Sequence, residues 1–134
     1  MSGARLPVRI AGLVAIAFGL LTIISGGRAL FGDAAARAAV GAAVPFVLWF
    51  NFGAGFAYVA AGAGLLAGRP WSVTLSALIA LATLLVFAAF GIHVLLGGAY
   101  EMRTVGAMTL RSVVWIVIAF VARRMPGRAE RSPA

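Results

Sequence analysis

The stretch Phe90–Trp115, FGIHVLLGGAYEMRTVGAMTLRSVVW, joins two long apolar runs and carries the chain's only histidine, one of its three acids and an arginine inside an otherwise apolar segment. Read as one helix from Ala99 at ~100° per residue, it places Glu101, Thr104, Met108, Arg111 and Trp115 on one side, within an arc of roughly 80°. Ile118 and Ala122 continue the line. One segment thus has a polar stripe at its start and an apolar stripe at its end, an arrangement that suits a helix entering a membrane beside other helices.

Working outward, the composition agrees. Of 134 residues, 63% are hydrophobic and 10% charged, and the mean hydropathy is +1.09. A soluble domain of this size needs far more polar surface, so the class is integral membrane, all-α, a single transmembrane domain over 1–134. Four spans are expected, at about 8–25, 44–67, 72–96 and 104–121, with a polar tail after Pro126. The uncharged core of the first, Ile10 to Gly27, is 18 residues, or ~27 Å of helix, enough to cross a bilayer. A secretory signal is the rival reading of that segment, and its apolar stretch is long for one. Between the first two spans Asp33 is placed to cap a short alanine-rich helix over about 33–43, lying along the interface.

Pro45 suits the first turn of the second span, where its missing N–H costs nothing. Rows of small residues at fourfold spacing, Ala11, Ala15 and Gly19 in the first span and Gly53, Ala57 and Ala61 in the second, are read as faces of close helix approach. Gly97 and Gly98 are expected to end the third span.

Cysteine is absent, which excludes disulfides, thiolate metal sites and thiol catalysis. The net charge of +8 is carried entirely by arginine. These arginines cluster at span ends, as cytoplasmic loops and anionic lipid head groups favour, rather than as a nucleic-acid surface. One side of the membrane would hold seven of them, Arg5, Arg9, Arg69, Arg123, Arg124, Arg128 and Arg131, and the other four, Arg28, Arg37, Arg103 and Arg111. Positive-inside then predicts both termini in the cytoplasm.

Antiparallel neighbours bring the start of the second span, the end of the third and the start of the fourth into one leaflet. By helix rise, Asn51, His93 and Arg111 sit at similar depth, ~10 Å below the outer edge. Asn51, Gly55 and Tyr58 share a helix face, and Thr22 and Ser25 approach the same leaflet from the first span. Polar groups therefore converge in one half of the membrane. Each has a bland reading beside the functional one. Arg111 either snorkels to the head groups or lies in a polar pocket. Asn51 makes an interhelical hydrogen bond or contacts a ligand. His93 is a neutral imidazole bonded to a carbonyl or hydroxyl, or a titrating ligand contact. Glu101 is a solvated acid at a helix start, and Trp115 packs as core. The candidate ligand-binding set is Asn51, Tyr58, His93, Glu101, Thr104, Met108, Arg111 and Trp115. His93 with Met102 and Met108 is a soft donor set of the kind copper(I) takes, but no HxxxH or MxxxM spacing accompanies it. No cofactor is expected. Ser/His/Asp sets, paired carboxylates and Gly-rich phosphate loops are missing from the sequence.

The stretches FNFGAGFAYVAAGAGLL and GGAYEMRTVGAMTLRSVVW resemble small four-span bacterial inner-membrane proteins, and the layout, with its Gly-rich second span, is similar to that of DoxX-like proteins. That resemblance implies a four-helix fold and an inner-membrane location, and carries no functional residue. The expectation is a bundle with an outward-facing polar pocket. It would bind a small amphiphile or lipid head group, or a partner membrane protein on its small-residue faces. An oligomeric transporter is the alternative. An enzyme using His93 and Glu101 as acid and base comes last.

Overall fold

Two of the three connections between long helices are closed by the same backbone device. After Leu66 the chain turns through Gly68 at φ +69°, with Arg69 N–H donating to Gly64 O at 2.8 Å and Gly68 N–H to Leu65 O at 3.2 Å. After Leu95 it turns through Gly97 at φ +86°, with Gly98 N–H donating to His93 O at 2.9 Å and Gly97 N–H to Val94 O at 3.0 Å. Both are Schellman endings, in which a left-handed glycine lets the last free carbonyls of the helix find donors. Each reverses the chain within a few residues and so lays consecutive helices side by side.

The computed structural model describes residues 2–41 and 43–125; the polar tail expected after Pro126 lies outside them. The elements are α1 (Ser2–Phe31), α2 (Ala34–Val40), α3 (Pro45–Leu66), α4 (Trp71–Leu95) and α5 (Met102–Ala122). All but α2 are long and apolar enough to cross a membrane. The shortest of these four, α5, has 21 residues, ~31 Å of helix against a hydrocarbon layer of ~30 Å. The protein is a four-helix membrane bundle. Its exterior shows what solvent it needs: Leu21 is 65% exposed, Leu85 62% and Phe120 63%, a surface compatible with lipid and not with water.

The first helix is longer than the 8–25 read from its apolar run. A helix ends where its backbone bonds end, and those of α1 continue past Arg28, whose carbonyl accepts from Gly32 at 2.9 Å. Asp33 then caps α2, its carboxylate accepting from Ala36 N at 2.9 Å. Pro45 opens α3 as expected. The last span begins later than Ala99. Glu101 has extended backbone, φ −107° and ψ 137°, and its side chain makes no capping bond, so it leads into α5 instead of riding on it.

The helices form a ring. Helix α1 lies along α3, α3 along α4 and α4 along α5, while α5 and α1 meet over a shorter stretch. Backbones approach most closely between α1 and α3. A methyl group added to Gly12 would lie 2.9 Å from Gly62 O, and one on Gly19 would lie 2.8 Å from Gly55 O. These glycines recur every seventh residue on both helices, a spacing that drifts by only about 20° and holds one face. The fourfold row read on the second span is corrected at Gly53, which is exposed with nothing within 4 Å of a Cβ placed there. The row named on α1 does lie inward, with Ala15 fully buried and Gly19 at the contact.

Three buried hydroxyls are satisfied within their own helices. Ser76 donates to Ser72 O, Thr83 to Ile79 O and Ser112 to Met108 O, each at 2.7 Å. Such back-bonding lets a hydroxyl occupy a small core position without needing water.

Candidate functional site

Arg111 is nine residues into α5, ~14 Å along the helix. Its guanidinium turns inward. Nη1 donates to Thr22 Oγ1 on α1 at 2.9 Å and to Tyr58 Oη on α3 at 3.3 Å. The guanidinium carbon lies 5.2 Å from the centroid of the Phe18 ring and 5.9 Å from that of Tyr58. The two rings stack on each other at 5.6 Å, and Tyr58 packs on Trp115 at 4.8 Å. Tyr58 and Trp115 are fully buried. Three helices thus meet at one cation.

Every partner of that cation is neutral. Among the described residues no carboxylate pairs with Arg111, and its Nε is buried without an acceptor. A charged residue inside a span costs on the order of 3 kcal/mol. Hydrogen bonds to a charged group return ~1.5–3 kcal/mol each, and a ring face ~0.5–2 kcal/mol. The surroundings are therefore enough to hold the charge in place, and none of them cancels it.

Above the guanidinium, toward the end of the bundle where α2 lies, is a cavity of about 460 Å³. Ser25 and Arg28 of α1, Ala36 and Ala39 of α2, Val47 and Asn51 of α3, and Arg103, Thr104 and Arg111 of α5 line it, with Glu101. Among the described residues, three guanidinium groups thus surround it against a single carboxylate. The Oδ1 of Asn51 is buried without a hydrogen-bond partner. Helix α2 roofs the cavity and is tied down twice: Arg103 donates to Ala39 O at 3.2 Å, and the Glu101 carboxylate packs on Gly41. Gly41 has φ +66°, and a side chain at that position would strike Glu101. Only glycine meets both demands there.

The structure gathers Asn51, Glu101, Thr104 and Arg111 around one space, with Tyr58 bonded to Arg111 and Trp115 packed behind Tyr58. Met108 is fully buried but belongs to an apolar cluster with Val44, Val47 and Phe90. His93 is elsewhere. It donates from Nε2 to Ala99 O at 2.9 Å, sits over Gly98 and stands edge-on to Phe46 at 6.3 Å. The shared cavity expected for Asn51, His93 and Arg111 therefore holds two of the three. His93 lies two residues from the end of α4, level with Phe46 at the start of α3, while Asn51 and Arg111 are six and nine residues into their helices; α4 does not line the cavity, and the ring bridges the turn that follows its own helix. It closes the α4–α5 connection.

Phe18, Arg28 and Arg103 were not in the sequence-derived set. Phe18 carried no signal, being one of nine phenylalanines. Arg28 and Arg103 read as span-end charges for head groups; the fold of α2 over the bundle makes them cavity walls. With permanent cations and apolar sides, the arrangement suits an anionic head group, and the unpaired Asn51 Oδ1 suits a donor on the same head group. No protein-family model, no curated protein and no solved structure matches this chain.

Proposed function

We propose that this membrane protein binds the anionic head group of a small amphiphile in the cavity between α1, α2, α3 and α5, with Arg111 as its floor. The observation that carries this reading is a half-buried arginine whose guanidinium is held, among the described residues, only by neutral groups, its Nε buried and free, on the wall of a cavity large enough for a head group. A carboxylate or phosphate would supply the counter-charge that the described residues withhold, and Arg28 and Arg103 would favour the same sign. Asn51 would position a head group that also bears a donor. The excess of arginine at the ends of α1, α3 and α5 opposite the cavity favours that end for the cytoplasm, which would open the cavity to the outer face of a bacterial inner membrane.

Thermal unfolding in an uncharged maltoside detergent tests it. Ligands that bind only the folded state stabilise it by RT ln(1 + [L]/Kd), ~2.7 kcal/mol at a hundredfold excess over Kd. Single-chain carboxylates or phosphates should raise the midpoint by several degrees in the native protein and leave Arg111→Gln unmoved. Equal stabilisation by amphiphiles with anionic, neutral and cationic heads would refute the assignment.

A further inference from the structure

The seam between α1 and α5 opens a second time, on the other side of Arg111. There a groove of about 490 Å³ runs between Ile10 and Val14 of α1 and Val113, Val117 and Val121 of α5, with almost no polar atom on its walls. It begins two residues beyond Arg111 on α5 and extends toward the termini. Between cavity and groove the two helices are bridged by side chains, the Thr22 hydroxyl on the guanidinium and the Phe18 ring beside it.

We infer that this groove holds the hydrocarbon tail of the same amphiphile, making the ligand a single-chain lipid with one anionic head. The inference rests on the head-group reading above and adds where the rest of the molecule goes. Polar cavity, cation and apolar groove follow one another along the same pair of helices, in the order of head, anchor and tail. An anion that takes the place of the Thr22 hydroxyl on Nη1 also releases the bridge between the two spaces. The groove adds no hydrophobic affinity in a bilayer, because lipid tails offer an equally apolar surface. What it adds is register, since a tail bound there is fixed relative to a head on Arg111. The groove lies between two helices and its α5 wall begins two residues beyond the one cation, which suits one chain and not the paired chains of a bulk phospholipid.

The experiment is photolabelling in nanodiscs of zwitterionic lipid, using hexadecanoate with a diazirine at mid-chain and, in parallel, its methyl ester. Adducts are mapped by peptide mass spectrometry. The acid should label 6–14 and 113–121 at least fivefold above the lipid-facing side of α4, and the ester should show no such enrichment. Val117→Trp, which fills the groove from an exposed position on α5, should remove the enrichment, while the acid still raises the unfolding midpoint of this variant in detergent. Carboxylate-dependent adducts concentrated elsewhere would overturn the groove assignment and leave the head-group reading standing. Identical labelling by acid and ester would overturn both. A cysteine at Val117 that forms disulfides between copies in native membranes in high yield would show the groove to be an interface between chains and would also overturn it.

Discussion

Replacing Arg111 with methionine should separate stability from binding. The variant keeps a long side chain in the space between Phe18 and Tyr58 but removes the charge. Thr22 can turn its hydroxyl back onto its own helix, as Ser76 and Thr83 do, so its loss is small. Tyr58 is fully buried and would have its hydroxyl orphaned, at a cost of ~1–3 kcal/mol. Against this, the chain no longer carries a cation into the membrane, a gain on the order of 2.5–3.5 kcal/mol. The two nearly cancel, and the variant should unfold within ~2 kcal/mol of the native protein, a few degrees in a thermal scan. Breaking a buried ion pair would instead cost ~3–5 kcal/mol, because the remaining charge is stranded. The assay is unfolding followed by tryptophan fluorescence in maltoside, with and without a single-chain carboxylate. Near-native stability with no response to the carboxylate is expected. A loss beyond ~4 kcal/mol would mean that Arg111 has an acidic partner, and the reasoning from an uncompensated cation would fail.

Other outcomes follow from the geometry. Gly62→Val places a side chain 2.6 Å from Gly12 O and should destabilise by ~1–3 kcal/mol as overpacking, whereas Gly53→Val, with open space around it, should be neutral in the same detergent melt. Asp33→Ala removes the bond to Ala36 N and should cost α2 ~0.5–2 kcal/mol, seen as faster hydrogen exchange confined to that helix. Gly41→Ala should release α2 in the same assay by displacing Glu101. For orientation, a cysteine at Ser2 should resist an impermeant thiol reagent in intact cells and one at Ala35 should react; the reverse pattern would invert the topology.

Much of this fold is legible in the sequence because the bilayer leaves few options. Length and apolarity announce the spans, and glycine at a left-handed position announces where a helix must end. Depth is legible in part, since the helix rise is constant, and the reasoning that paired Asn51 with Arg111 names two residues that line one cavity. Azimuth is the part that stays hidden. Which way His93 points depends on where α4 stands in the ring, and nothing local in FGIHVLLGGAY states that α4 lies apart from the cavity. The glycine contacts were concealed for a related reason. In a chain with 17 glycines several periodicities coexist, and only the partner helix selects the sevenfold one over the fourfold. Glu101 shows a third limit, because its role comes from Gly41, sixty residues earlier.

The backbone contact between α1 and α3 also makes the bundle mechanically uneven. With Gly12 against Gly62 and Gly19 against Gly55, those two helices touch main chain to main chain, and any widening there breaks contact along the whole face at once. The opposite seam, α1 against α5, is joined around Arg111 by side chains that can change rotamer without disturbing a helix. Of the two seams that α1 makes with long helices on either side, the one with α3 is therefore the stiffer, held by main chain, and the one with α5 the softer, held around Arg111 by side chains alone.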